Sequence, residues 1–284
     1  DTECTLCKGT RSATLRRNPD SSLAPGMVLV FEEVTDPQAP AGSEAPGRPE
    51  WRWPVRLTSV EETTDILTGE LLYAIEWARE DALPFSFVIS RRIDDILVEN
   101  ITLACGNIVL ADHGLTLEDH SLHPELHPPA APLDGSVYRP VLEKSPLSHR
   151  QSLADPQDTP ASRCTLQDPA QARPALSLHS NGEEWNPVGD LLGSDENAAE
   201  FVVETGNRRE SYLRFGTGEH GRAPSPGQSF RVRYRIGSGT AGNIGADSLS
   251  ATLDGLEGIL RVRNPLPARG GTDPESIEQV KQFA

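Results

Sequence analysis

The sequence has few cysteines and no long apolar run. Four cysteines in 284 residues are too few for a disulfide scaffold, so packing must supply stability, and a reducing compartment fits best. No run of about twenty apolar residues is present, as a membrane-spanning helix would require. Residues 1–25 carry Arg11, Arg16 and Arg17 without a hydrophobic stretch behind them. We therefore expect neither a signal peptide nor a membrane span.

Positive charge is also scarce. Lysine and arginine number 26 against 42 acidic residues, which leaves a formal net charge of -16. A surface of this sign repels phosphate backbones and anionic lipid headgroups. The charge argues against nucleic acid as a partner and against direct membrane insertion.

Long helical periodicity is missing as well. Gly and Pro, 24 of each, separate short alternating apolar runs, a pattern typical of β-strands joined by turns. We predict a mainly β fold of two antiparallel β-rich domains, sandwich-like or barrel-like, joined by a Pro-rich wrapping segment. The expected boundaries are a β domain at 1–115, a Pro/His-rich connecting segment at 116–175, a second β domain at 176–271 and the start of a helix at 272–284.

The helix prediction rests on a capping-box spacing, with Thr272 and Glu275 around Pro274 and with Ile277 and Val280 on one face. The chain begins at Asp1 and stops within this helix. We therefore expect a piece of a longer α+β chain.

Several strands can be placed in the N-terminal half. Residues 27–34 form an apolar run, and residues 36–54 are typical of a loop. Residues 71–77 and 85–89 place apolar side chains at a period of two. Residues 101–103 and 108–110 flank Gly106 and Asn107, which predicts a hairpin with a tight turn.

The C-terminal half contains the clearest strand. Residues 201–203 and 212–215 predict a second hairpin. In residues 230–236, apolar side chains alternate with Arg231, Arg233 and Arg235, so one face should be buried and the other positively charged. Such a face either is simply solvated or attracts an acidic neighbour.

Two groups of residues could in principle bind a metal, namely a pair of cysteines near the start of the chain and a histidine-rich stretch. Cys4 and Cys7 have the spacing of a metal-binding or redox pair, but no second pair accompanies them, and incidental thiols fit better. Histidines and carboxylates are dense in a Pro-punctuated stretch that matches no metal-site motif, so a solvated loop is the better interpretation. The histidines of this stretch are His113, His120, His123 and His127.

The glycines after the clearest strand resemble a dinucleotide fingerprint only in spacing. Gly237, Gly239 and Gly242 follow a strand, but turn-forming residues continue the chain where a helix should begin. We interpret these glycines as turn and bulge positions that allow close backbone approach. A serine-nucleophile elbow is missing, and adjacent carboxylates such as Glu32 and Glu33 carry little information in so acidic a chain.

The C-terminal glycine-rich stretch resembles the baseplate J-like family. The order and spacing of its motifs carry the resemblance: residues 214–221, 226–227, 234–237, 242–243, 264–268, 270–271 and 273–275. In the N-terminal half, residues 9–10, 28–34, 77–85 and 106–114 are similar to baseplate assembly proteins of extracellular contractile injection systems, and residues 185–194 fit the same pattern. The resemblance leaves out residues 36–50 and 120–175.

The resemblance implies a structural wedge subunit with no catalytic residue and no cofactor or metal. It implies as partners other wedge subunits, including a second copy or a paralogue, the spike hub and sheath-proximal baseplate proteins. It also implies assembly in the cytoplasm of the producing cell, followed by incorporation into a phage-tail-like particle. The motif residues expected to have backbone roles are Gly216, Gly218, Gly221, Gly227, Gly237, Gly239, Gly242, Asn243, Asn264, Pro265, Pro267, Gly270 and Gly271.

Two other classes of function stay open at this point. The histidine stretch could serve a metal-dependent hydrolase. A glycan-binding β-sandwich would need exposed aromatic platforms, for which only Trp51 and Trp53 have a loop-like context.

Overall fold

The computed structural model describes residues 3–19, 22–40, 42–43, 45–121, 138–152, 157–225, 227–237, 239–251, 257–274 and 281–282. The protein is mainly β, as the sequence predicted, with several antiparallel sheets that include a curled half-barrel. Within these residues no helix combines the length and the apolar character needed to cross a bilayer. The chain forms two compact units, and each unit is assembled from segments that are distant in sequence.

Unit 1 consists of Asp1–Ala111, Leu153–Leu166 and Ile244–Arg269. Its strands are β1 Cys4–Leu6, β2 Ser12–Arg16, β3 Val28–Glu33, β4 Arg52–Thr64, β5 Leu71–Trp77, β6 Phe87–Ile93, β7 Ile96–Val98 and β8 Thr102–Cys105. They form a five-stranded sheet in the order β2-β5-β4-β3-β8 and a three-stranded sheet in the order β1-β6-β7. A 3-10 turn lies at Arg79–Asp81, and the short helix α1 lies at Ala161–Cys164.

Alternation along β5 builds the core of unit 1. Tyr73, Ile75 and Trp77 are all at most 3% exposed, as a period of two predicts. They join one apolar cluster with Phe31 of β3 and Phe87 of β6. The ring centroids of Phe31 and Trp77 are 5.4 Å apart.

Two sequence-based expectations in this region are wrong. Residues 108–110 form no strand, and β8 pairs with β3 instead of closing a hairpin with them. The apolar run at 108–110 misled the prediction, because Val109 is 84% exposed. The loop expected at 36–54 ends early, since β4 begins at Arg52 and pairs Trp53 with Phe31.

Unit 2 consists of Asp112–Ser152, Gln167–Asn243 and Gly270–Ala284. Its strands are β9 Leu115–Ser121, β10 His149–Arg150, β11 Arg173–Pro174, β12 Leu176–Ser180, β13 Glu183–Val188, β14 Glu200–Thr205, β15 Ser211–Phe215 and β16 Arg231–Ile236. Six of them form a sheet in the order β15-β14-β13-β12-β16-β9, and β10 pairs with β11. Single 3-10 turns lie at Pro169–Gln171 and Thr240–Gly242.

The two strongest strand predictions in this half are confirmed. β14 and β15 form an antiparallel hairpin in the register Phe201 to Phe215 through Thr205 to Ser211. β16 buries Val232 and Tyr234 on one face. Together with Trp185 and Phe230, which are also buried, they belong to a single apolar core.

The architecture departs from the sequence-based organisation in three places. β9 falls inside the predicted connecting segment and pairs with β16. β13 and β14 are parallel in an otherwise antiparallel sheet. Residues 244–269, which the sequence assigned to the second domain, belong to unit 1.

Residues 275–280 and 283–284 of the expected helix lie outside the described residues, and Lys281 and Gln282 are helical.

Candidate functional site

Two glycine-containing segments of unit 2, residues 239–243 and 270–273, meet at close range, and we call this contact the glycine crossing. The side-chain amide of Asn243 holds Gly271 from both sides. Its Nδ2 donates to the Gly271 carbonyl at 2.8 Å, and its Oδ1 accepts from the Gly271 N–H at 2.9 Å. The Asp273 carboxylate accepts from the Thr240 N–H at 3.2 Å and from the Thr240 hydroxyl Oγ1 at 2.7 Å. Segments about thirty residues apart are thus fixed to each other.

The crossing needs residues without side chains. A Cβ atom added at Gly239 would overlap the carbonyl of Thr272, and one added at Gly271 would overlap the carbonyl of Gly239. At Gly242 an added Cβ would lie 2.5 Å from the Cβ of His113. The backbones therefore approach more closely than any larger residue permits.

The glycine crossing also contains a charged group, the Asp273 carboxylate. Hydrogen bonds from the hydroxyl and the N–H of Thr240 lower the pKa of Asp273 below its usual value. Asp273 is therefore ionised at neutral pH and accepts both bonds as a carboxylate. This arrangement can fix a chain path.

The remaining glycines of the motif have two kinds of backbone role. Gly216 packs against the Gly221 carbonyl without room for a Cβ, and an added Cβ at Gly237 would lie 3.0 Å from Ser148 Oγ. The positive-φ glycines of the motif are Gly218, Gly221, Gly227 and Gly270. Pro226 lies outside the described residues.

The motif residues 264–268 belong to unit 1 and not to the glycine crossing. Asn264 Oδ1 accepts from the Leu249 N–H at 2.8 Å, and its Nδ2 donates to the Gly245 carbonyl at 2.8 Å. The Pro265 carbonyl accepts from Arg52 at 2.9 Å. Pro267 is half-buried. The structure thus brings Gly239, Gly242, Asn243, Gly270 and Gly271 together in unit 2, whereas the contacts described for Asn264 and Pro265 lie within unit 1.

The arginine face of β16 finds acidic neighbours within unit 2. Arg233 pairs with Glu118 of β9 at 3.0 Å. Arg235 pairs with Asp112 at 2.7 Å and donates to Thr116 Oγ1 at 2.7 Å. The acidic neighbour that the sequence left open is therefore supplied in part by the strand next to β16.

The candidate metal ligands are only partly described. His113 lies beside Gly242, His120 lies in β9, and His123 and His127 lie outside the described residues. Across the described ranges, His, Cys, Asp and Glu side chains nowhere gather in a group of three or more that could hold a metal.

The four cysteines are free thiols in different surroundings. Cys4 and Cys7 are exposed. Cys164 Sγ lies 3.7 Å from the Thr159 carbonyl oxygen, and Cys105 Sγ lies 4.0 Å from Glu32 Oε2. Burial and the charge of Glu32 raise the pKa of Cys105, so this thiol stays protonated at neutral pH.

The two tryptophans considered as glycan platforms are engaged within unit 1. The Arg48 guanidinium lies 3.9 Å from the ring centroid of Trp51, and the Phe85 ring centroid lies 4.5 Å from it. Trp53 belongs to β4 rather than to a loop, and its Nε1 donates to the Asp81 carbonyl at 3.0 Å. Trp51 directly precedes β4 and is packed against other side chains, whereas Trp53 lacks the loop context that the sequence suggested.

Sequence reasoning missed a buried carboxylate–arginine cluster in unit 1. Glu32 and Glu33 are 3% and 2% exposed and occupy consecutive positions of β3, so they point to opposite faces of the sheet. Glu32 pairs with Arg52 at 2.8 Å and with Arg263, and Glu33 pairs with Arg48 at 2.9 Å. Two adjacent acids in an apolar strand were the available signal, since buried carboxylates need cationic partners.

Comparisons of the chain with family models, curated proteins and solved structures found no match. The likeness to the baseplate J-like family therefore rests on the motifs quoted above and stays a prediction.

Proposed function

We propose that this protein is a non-catalytic structural wedge subunit of the baseplate of a phage-tail-like contractile injection system. One observation carries the proposal. Two parts of the motif on which the resemblance depends, residues 239–243 and 270–273, meet in a single glycine crossing. These two parts of the motif thus act together through backbone contacts, as parts of a scaffold motif should.

The surface of the chain supports the same proposal. A net charge of -16 favours partners with basic surfaces. The partners in the proposed baseplate are other wedge subunits, including a second copy or paralogue, the spike hub and sheath-proximal proteins, and the charge argument applies to those of them that have basic surfaces. The protein assembles in the cytoplasm of the producing cell and then remains in the particle. Contraction changes contacts between subunits and breaks no covalent bond.

The test is genetic and structural. In the producing strain, residues 181–271 are deleted, and the strain is complemented with the wild-type gene, with Gly239→Val or with Gly193→Val. Gly193 is the matched control, because a Cβ there meets nothing within 4 Å. Particles are purified and imaged by negative-stain electron microscopy.

We expect sheathed particles with baseplates only with the wild-type gene and with Gly193→Val. Intact contractile particles in the uncomplemented deletion strain would refute the proposal. Restoration by Gly239→Val as complete as that by the wild-type gene would refute a role of the glycine crossing in assembly.

A further inference from the structure

The turn between β4 and β5, residues 65–70, holds two large aliphatic side chains in water, and we call it the hairpin tip. Ile66 is 99% exposed and Leu67 is 94% exposed. The last four residues of β4 are exposed as well, so the hairpin projects beyond the core of unit 1. Single exposed aliphatic side chains are ordinary, but an adjacent pair at a projecting end favours an interaction site.

The hairpin tip is held in one conformation by its own hydrogen bonds. The Asp65 carboxylate accepts from the Leu67 N–H at 2.7 Å and from the Thr68 N–H at 3.2 Å. The Gly69 N–H donates to the Asp65 carbonyl at 2.8 Å, and the Asp65 N–H donates to the Glu70 carbonyl at 2.9 Å. Because the loop is ordered before any contact, docking costs less conformational entropy.

Acidic residues lie on both sides of the aliphatic pair in the chain. Asp65 and Glu70 bracket the pair, and Glu61 and Glu62 lie on the exposed end of β4. Arg16 and Arg17 offset part of this charge, through contacts of 3.6 Å with Glu70 and with Glu62. The projection as a whole is apolar at its end and acidic along its sides.

A second copy of this chain is a poor occupant. Two chains of charge -16 repel each other. A depression of about 450 Å³ on the same sheet has Glu61 and Glu76 in its mixed polar and apolar lining, so an acidic hairpin tip would meet charge of its own sign there. The charge pattern instead favours a basic partner.

We propose that the hairpin tip is a docking element that inserts Ile66 and Leu67 into an apolar pocket bordered by lysine or arginine on a different protein of the particle. This inference rests on the proposed wedge function and adds a specific contact to it. Apolar burial at the centre and acid–base pairs at the rim are the usual division of roles in a protein interface.

The first experiment measures incorporation into particles. The producing strain expresses the full chain as wild type, as the double serine variant Ile66→Ser with Leu67→Ser, or as Ile66→Val with Leu67→Met. The matched control is Val109→Ser with Leu192→Ser, since these side chains are 84% and 79% exposed at other places. All variants should melt like the wild type, because the altered side chains lie in water. We expect the double serine variant to show incorporation lowered at least about tenfold, and the other two pairs to leave it near wild type.

The second experiment identifies the occupant. A photo-crosslinking amino acid replaces Leu67, and mass spectrometry of irradiated particles locates the crosslinked peptide. We expect one site on a different protein, apolar at the crosslink and flanked by Lys or Arg. A crosslink to a second copy, to another part of the same chain or to an acidic surface would overturn the inference.

The outcomes separate the two proposals. If the deletion strain still forms particles, both the wedge function and the docking inference fail. If deletion abolishes particles but the double serine variant incorporates like the wild type, only the docking inference fails.

Discussion

The two units have similar β architecture but different kinds of core. Unit 1 buries three carboxylates, Glu32, Glu33 and Asp81, each at most 3% exposed. In the described part of unit 2, the buried polar residues are Ser180 and Ser211, while Trp185, Phe201 and Phe215 are buried among other apolar side chains. Unit 1 therefore adds matched buried charges to an apolar core, whereas the described part of unit 2 depends mainly on apolar packing.

This difference has a physical consequence for each unit. A buried carboxylate is tolerated only while its cations and hydrogen-bond donors remain, and losing one partner leaves an uncompensated charge. An apolar core instead loses stability in proportion to the buried volume that is removed. The units should thus respond to different substitutions.

The largest effect should come from Trp185→Ala in unit 2. The indole makes edge-on contacts with Phe215 and Phe230, both with ring centroids 5.4 Å away, and it is fully buried. We expect a loss of about 3–5 kcal/mol of unfolding free energy. Hydrogen exchange should show faster exchange in β12 to β16 and little change in β3 to β5. Leu192→Ala, at an exposed position, is the control, and equal loss of protection in both units would contradict independent cores.

The second-largest loss of stability should come from Arg52→Met in unit 1. Arg52 is 9% exposed and pairs with Glu32 at 2.8 Å and with Asp247 at 2.6 Å. Its removal leaves the buried Glu32 carboxylate to Arg263 alone, and we expect a cost of about 3 kcal/mol in chemical denaturation.

The double variant Arg52→Met with Glu32→Gln should recover part of this loss, because it removes the buried carboxylate charge that Arg263 alone compensates incompletely. Arg16→Met is the control, since Arg16 makes only a surface contact of 3.6 Å and should change stability by less than about 0.5 kcal/mol. Strict additivity of the Arg52 and Glu32 substitutions would show that the pair is not coupled.

A smaller effect is expected from Asp81→Ala. The Asp81 carboxylate accepts from the backbone N–H groups of Arg56, Ala161 and Ser162, each at 2.9 Å, and from the Ser162 hydroxyl at 2.6 Å. It therefore caps α1 and ties that helix to β4.

We expect a loss of about 1–3 kcal/mol and faster amide exchange at Ala161–Cys164. Glu80→Ala, one residue earlier and exposed, should leave exchange in α1 unchanged. Unaltered exchange in the Asp81 variant would mean that the cap contributes nothing to α1.

The sequence predicted individual strands in both units, but it predicted their pairing only where the signal is local. Alternation is a local signal, so the Phe201 to Phe215 hairpin and the buried face of β16 could be inferred from a few neighbouring residues. The pairing of β8 with β3 could not, because residues 101–105 have two possible partners that local pattern does not distinguish.

The glycine crossing and the buried Glu32–Arg263 pair show the same limit of local sequence patterns. The close approach of Gly239 could be expected from its residue type, but its partner Thr272 could not. Glu32 and Arg263 are 231 positions apart, so no local pattern connects them. What was missed are the contacts that only the tertiary fold creates.

The smallest expected effect is a dependence of stability on pH. The contributions of Glu33 in unit 1 and Glu204 in unit 2 to the free energy of unfolding should change with pH in opposite directions. In unit 1, burial raises the pKa of Glu33, although Arg48 opposes this. In unit 2, a hydrogen bond from Arg214 lowers the pKa of Glu204, and the charge of Arg139 adds to this. The contribution of Glu33 to stability is therefore present below the unfolded pKa of 4.5 and is lost as pH rises through the folded value. The contribution of Glu204 is present above 4.5 and is lost as pH falls through its lower folded value.

Urea denaturation of the wild type, Glu33→Gln and Glu204→Gln across this pH range measures both contributions. Relative to the wild type, Glu33→Gln should become less harmful as pH rises above 4.5, and Glu204→Gln should become less harmful as pH falls below it. We expect changes of about 0.5 kcal/mol or less at Glu204, because solvent screens this half-exposed pair. Slopes of the same sign in both variants would show that burial does not govern Glu33, and the contrast between a charged and an apolar core would then lose its basis at this residue.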